Sequence, residues 1–427
     1  MTLTPAQPDP SRHALTSQQA RVWASGLLNR SPIQHVYACA LPVGVTFPAL
    51  TAAVRTLAAR HTALRTLIGR ENARLYQCAD GPLPVLEFRQ EDGVTAREAV
   101  TRLCTSGAAL VDVTNGPSAR FVLVHGTDEV GQLVVVLHSA VADGWSRMII
   151  LSELDQIATE RPAGNELRPV RALGYLGDRG RRWRSTADYD RRLQFWACQL
   201  AAIRPDPVER APAGRRTGTR HTQSIETEMA AAVRNLSRER RIGQAAVYLS
   251  ALCAACADLT GAAMVPICLL TSGRDAEIGT SVGVFANHVP MPVSAQASAR
   301  MNPEYMWEII TRALRNEVPL PDLLESPYHL SKQISEITFR GIGFQMAPSW
   351  PPFHSLIFHP ITESSAPPAP FSAIEVSVRR DPGSVCLDVV HDQSRCSDEL
   401  AGELFDRMIA RLAELSGTRL SFRPPIR

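Results

Sequence analysis

Lysine is almost missing from this chain: Lys332 is the only one, and the rest of the 45 basic side chains are arginine. A compositional bias of the source genome accounts for this, although clustered guanidinium groups would also suit a phosphate or carboxylate partner. A large net charge is missing too, and +3 gives no electrostatic case for a nucleic-acid partner. No apolar run reaches the roughly 18 residues that a membrane-spanning helix needs, so no membrane partner is expected. The stretch from Met1 to Arg12 lacks the basic-then-apolar order of a secretion signal, and a cytoplasmic location is the expectation that follows. Nine cysteines are too irregularly scattered for a disulfide framework and fit reduced thiols. Cys253 and Cys256 form a Cys-x-x-Cys inside an apolar helical run, but no second pair completes a zinc site, so no metal is expected and both read as packing thiols. The absence of a short-period repeat excludes a solenoid.

What remains is an ordinary globular composition, 45% hydrophobic and 20% charged over 427 residues, enough for two domains or one large bilobal unit. Residues 1–14 read as a flexible arm, 15–170 as a first lobe, and 171–427 as a second lobe that includes a bridge over 171–222. Pro48 suits the first turn of a helix in which Leu50, Ala53, Val54, Leu57 and Ala58 share one face. Arg120 to His125 and Gln132 to Leu137 read as a hairpin. Helices are expected near 95–109, 225–237, 243–259, 303–316 and 397–415, and strands near 264–270, 282–293, 341–346, 372–380 and 384–391. This mixed order predicts an α/β class, an α+β sandwich in each half.

The strand Leu133 to Leu137 runs into His138-Ser139-Ala140-Val141-Ala142-Asp143-Gly144-Trp145-Ser146, and the helical spacing resumes at Met148. A strand-loop-helix junction of this kind can present side chains to a cleft.

That junction resembles the His-His-x-x-x-Asp-Gly signature of the condensation domains of nonribosomal peptide synthetases, with Ser139 at the second His. Other segments are similar to the same family in the same order. They are Leu15 to Trp23, Arg60 to Ile68, Asn115-Gly116-Pro117 with Arg120, Leu193 to Trp196, Gly273-Arg274, and Val282 to Asn287. Pro319 to Leu324 and Gly343 to Gln345 match more weakly. The resemblance implies two chloramphenicol-acetyltransferase-like lobes in a V-shaped pseudo-dimer with a central channel. It also implies an acyl or peptidyl carrier protein as partner, an amine or alcohol acceptor, and no bound cofactor, the acyl group arriving on phosphopantetheine or coenzyme A. A chain of this length would then act as a free-standing enzyme.

In the family the second His is the reactive one, so the resemblance makes His138 the scaffold position and Ser139 the changed one. Adjacent residues of an extended strand point to opposite faces, and only a bulge would let His138 take over. Ser139 cannot act as a base near neutral pH, although it can donate a hydrogen bond or become a nucleophile if another group takes its proton. Ser139 and His138 are therefore the catalytic candidates. Asp143 is expected in a structural salt bridge, with Arg274 the first choice of partner and Arg65 the second. Gly144 would permit a tight turn, and Trp145 would wall the channel or, as the first choice, fill core. Gly283, Asn287 and His288 are expected along the channel, and His288, His354 or His359 to offer a substitute proton acceptor. Arg181, Arg182 and Arg184, beside Arg179, form one basic cluster, and Arg215, Arg216 and Arg220 a second. Each is either a carrier-docking patch or a solvated face. Two functions follow: a condensation-like acyltransferase, or a degenerate binding platform for a carrier protein or tailoring enzyme.

Overall fold

The computed structural model describes residues 11–28, 34–71, 74–106, 111–128, 130–159, 170–204, 218–294, 302–347, 355–361, 370–381 and 384–418. The expected arm before Ser11, Arg215, Arg216 and His354 lie outside the described residues. The chain opens with α1 (Ser17–Leu28), β1 (Gln34–Ala40), α2 (Phe47–Arg60), β2 (Leu67–Glu71), β3 (Arg74–Cys78) and β4 (Leu86–Gln90). Next come α3 (Ala96–Thr105), β5 (Ala119–His125), β6 (Gln132–His138), α4 (Gly144–Ala158), α5 (Leu173–Trp183) and α6 (Ala187–Leu200). Then follow β7 (Gly218–Ile225), α7 (Thr227–Glu239), α8 (Gln244–Thr260), β8 (Met264–Thr271), β9 (Asn287–Ser294) and α9 (Pro303–Arg315). The last are α10 (Leu320–Leu324), α11 (Ser331–Thr338), β10 (Ile342–Met346), β11 (His359–Ile361), β12 (Ile374–Asp381), β13 (Ser384–Asp392) and α12 (Asp398–Ser416).

Two units result, and a single cut near residue 170 does not separate them. The first unit gathers the described residues of 1–186, 272–286 and 350–365, and the second those of 187–271, 287–349 and 366–427. Pairing explains the two late insertions. Strand β11 adds to the edge of β1, while the loop through Arg274 and Phe285 bonds to the start of α4.

In the first unit the sheet order is β11-β1-β6-β5-β4, antiparallel except for β4 with β5. Strand β6 is covered on both faces. Leu133, Val135 and Leu137 pack with Leu50, Leu57, Ile150 and Leu154, whereas Val134 and Val136 pack with Val100 and Leu103. Burial on both sides is why the strand reads as a continuous apolar run instead of an alternation. Helix α2 starts at Thr46, whose side chain accepts from Ala49 N–H, and α3 starts in a capping box between Thr95 and Glu98.

In the second unit the order is β7-β13-β12-β10-β8-β9, and β10 is parallel to both of its neighbours. Helix α8 is buried along most of its length, and its Cys253 and Cys256 are buried packing thiols outside any disulfide. Burial pushes the Cys256 thiol up to about 12, so it stays neutral. The strand expected over 282–293 starts only at Asn287, because the residues before it serve the loop on Asp143. No single helix among the described residues is long and apolar enough to cross a membrane.

Candidate active site

Strand β6 ends on His138, and the chain turns at once: Val141 and Ala142 N–H both donate to the His138 carbonyl. Asp143 then caps α4 by accepting from Ser146 N–H at 2.8 Å. Its carboxylate also accepts from Phe285 N–H at 2.9 Å, from Ala286 N–H at 3.0 Å, and from Arg274 through Nη1 at 2.8 Å and Nη2 at 3.0 Å. Burial alone would raise the Asp143 pKa, but the guanidinium and the backbone donors overcome it and hold the carboxyl below its usual value. Ser146 Oγ completes the knot, donating to Gly283 O and accepting from Gly283 N–H and Arg274 Nη2.

Glycine is required at one point of this loop and tightly fitted at a second. A Cβ on Gly273, whose φ is +61°, would sit 1.9 Å from the Phe285 carbonyl oxygen. One on Gly283 would lie 2.5 Å from the Phe285 ring and 2.8 Å from Leu173. The Phe285 ring in turn carries the Arg274 guanidinium at 4.7 Å.

His138 accepts a 3.1 Å hydrogen bond from Ala140 N–H at Nδ1, which leaves the ring proton on Nε2. Burial, opposed by the charge of Asp112, lowers its pKa to about 4. A ring so tuned is neutral at pH 7 and a poor general base. Ser139 Oγ is buried and has no hydrogen-bond partner among the described residues.

Two neighbours are not among the sequence-derived candidates. His35 on β1 has its pKa pushed well below the usual value by burial, then by the charges of Arg147 and His138. Arg147, one residue after Ser146, buries its Nε without a hydrogen-bond partner and holds its guanidinium 5.9 Å from the Tyr37 ring. Its position four residues after Asp143 is the available signal; His35 offers none. Arg60 and His61 carry only a family resemblance in sequence, yet they hold Glu153 of α4. Arg60 Nε and His61 Nε2 donate to the same carboxylate oxygen at 2.9 and 2.7 Å.

Several expected site residues have partners or surroundings of their own. Arg65 donates to the Ala79 carbonyl, where the chain turns at Gly81, and Arg274 alone takes Asp143. Trp145 is 43% exposed instead of filling core, because its indole N–H reaches the Gly279 carbonyl at 3.1 Å. Gly144 has no left-handed backbone and is simply the first residue of α4. Asn287 belongs to the second unit, where its amide donates to Glu317 and the Val318 carbonyl and accepts from Leu320 N–H. His288 packs its ring 4.2 Å from Phe371 in the same unit. His359 pairs at the sheet edge, opposite Ala38. In the basic cluster on α5, Arg181 is held by Asp178 at 2.7 Å and Arg184 donates to Ser17, while Arg182 is exposed.

Residues 11–329 match the Condensation domain family. The chain belongs to the condensation-domain family. It is 27% identical over 313 residues to malpinin synthetase of Mortierella alpina, covering 69% of this chain. The chain spans only about 4–5% of the length of the curated relatives it matches. Among solved structures, the condensation domain of the Monacolin K polyketide synthase aligns at TM-score 0.74 and 18% identity, covering 95% of this chain and 97% of that one. The epimerization domain from the third module of a tyrocidine synthetase aligns at 0.71 and 16%, covering 95% and 96%. The mixed α/β, chloramphenicol-acetyltransferase-like fold is therefore that of condensation domains. The family is generally amide-forming and acts on substrates carried on phosphopantetheine or coenzyme A, without a cofactor of its own. The epimerization neighbour places a different reaction on the same fold.

Proposed function

We propose that this condensation domain transfers an acyl or aminoacyl group from a carrier-bound or coenzyme-bound thioester to an amine, without a histidine base at the motif's second position. The reading rests on one observation: Ser139 Oγ is buried and unpartnered at the loop that Arg274 and Asp143 lock in place. An unpaired buried hydroxyl costs roughly 1–3 kcal/mol, and a reacting group that supplies its partner removes that cost. In the step itself an uncharged amine nitrogen bonds to the thioester carbon, the C–S bond breaks, and the amine's proton ends on the departing thiolate. Ser139 donates a hydrogen bond to the oxyanion that forms, while proximity supplies most of the acceleration. An alcohol acceptor is disfavoured, because a hydroxyl needs a base to become nucleophilic and His138 is too weak a one at neutral pH. Closure of a tethered intermediate onto its own amine is the same chemistry.

That weakness of His138 also favours a second reading, a platform that holds a carrier protein or tailoring enzyme without turning over substrate. Arg182 on α5, with Arg181 and Arg184 beside it, is the docking patch in either case. Incubating the protein with acyl-carrier and acyl-coenzyme A thioesters and a panel of amines, and following product by mass, separates the two. New amide above the uncatalysed background supports transfer. Carrier binding with no amide from any pair establishes the platform instead.

A further inference from the structure

The second unit brings together three side chains that the acyl-transfer reading does not use. One ligating atom each from His221, His391 and Asp398 lies within 4.8 Å of the others. His221 on β7 stands opposite Val389, and His391 on β13 opposite Thr219, so the two histidines are diagonal neighbours on one face of an antiparallel pair. Their rings stack 5.5 Å apart and within 10° of parallel. Asp398 is the first residue of α12, directly after the cap Ser397.

Hydrogen bonding fixes the chemistry of the buried ring. His391 Nδ1 lies 3.1 Å from the Cys396 carbonyl oxygen, which only accepts, so Nδ1 carries the proton and the neutral ring has a bare lone pair at Nε2. That residue is 0% exposed, and Nε2 sits 3.0 Å from Asp398 Oδ1 without hydrogen-bond alignment. His221 Nε2 is likewise buried with no hydrogen-bond partner among the described residues. Two ring nitrogens and a carboxylate oxygen thus lie within 4.8 Å of one another. Gln393 Nε2 approaches both Asp398 carboxylate oxygens, at 3.4 and 3.3 Å, and orients the group from outside.

We propose that His221, His391 and Asp398 bind a divalent transition metal of the zinc class, with water at the fourth position. Two imidazoles and one carboxylate are an ordinary zinc set, with bonds of about 2.0–2.2 Å. The contact of His391 Nδ1 with a carbonyl is the outer-sphere arrangement that fixes a metal-binding tautomer. Cys396 is not counted among the ligands, since its Sγ faces the Ser397 carbonyl. Such an ion would tie the edge strand β7 to β13 and to the start of α12. The acyl-transfer reading uses none of the three residues.

Chelator-treated protein titrated with Zn²⁺ by calorimetry, and with Co²⁺ by visible absorption, tests this. The native chain is expected to bind one more ion than either His221→Ala or Asp398→Ala, and to melt higher with Zn²⁺ where the variants do not. These two positions are half-buried and exposed, so the fold should persist, which circular dichroism checks. Loss of a ligand should weaken the site by more than the roughly 10- to 100-fold that loss of an outer-sphere group costs. Equal stoichiometry and affinity in all three proteins, or a His391 imidazolium seen by NMR alongside no Zn²⁺ binding, would overturn the assignment.

Discussion

Arg274 grips Asp143 with both terminal guanidinium nitrogens, and each side chain is only 4% exposed. The pair fastens the loop before β9 to the first turn of α4, so the motif's Asp is a clamp. Asp143→Ala would leave the Arg274 charge buried and uncompensated, at a cost of about 3–5 kcal/mol. The urea midpoint at neutral pH reads this directly. Because folding lowers the Asp143 pKa from its usual 3.8, its contribution is complete above that value and disappears as pH falls through the folded one. Unchanged stability with abolished turnover would instead place Asp143 in the chemistry.

His138 imposes a second pH dependence. Its pKa falls from 6.5 in the unfolded chain to about 4 in the fold. Between these values the unfolded chain binds the proton and the native chain does not, so stability declines as pH drops from the upper value to the lower and levels off beneath it. The most this group contributes is about 3 kcal/mol. His35 acts in the same direction. Comparing denaturation at about pH 7.5 and about pH 5, His138→Gln should lose part of the native slope; an identical slope would show that His138 is not buried as described.

Gly283→Ala forces a methyl group against the Phe285 ring and Leu173. Overpacking of this kind costs about 1–3 kcal/mol, and thermal melting should fall while Asp143 and Arg274 remain paired. No loss would mean that the loop relaxes freely.

Ser139→Ala should leave stability unchanged or raise it by up to about 1–3 kcal/mol, since it deletes a buried hydroxyl without a partner. A clear loss of stability would show that the hydroxyl is a structural hydrogen-bonding group.

Elements buried on both faces are legible in sequence, as with β6, whose apolar run stands out without alternation. So is Arg274 as partner of Asp143, through the order of family segments. Strand β11 is not, because three residues at a sheet edge acquire meaning only from pairing with β1. Trp145 departs from its expected core position for a physical reason: aromatic bulk reads as core until an exposed carbonyl, here that of Gly279, is seen to hold the indole N–H. His35 reaches the motif through sheet register, opposite Leu137, which no local pattern encodes.

The most direct test is the single-turnover rate of amide formation from a carrier-bound thioester and an amine, for the native chain, Ser139→Ala and Ser139→His. Transfer by the native chain, slowed by up to about 10²-fold in Ser139→Ala and restored or increased in Ser139→His, is the expected result. Carrier binding without amide formation in the native chain, or equal rates for native and Ser139→Ala, would contradict a role for Ser139 in acyl transfer.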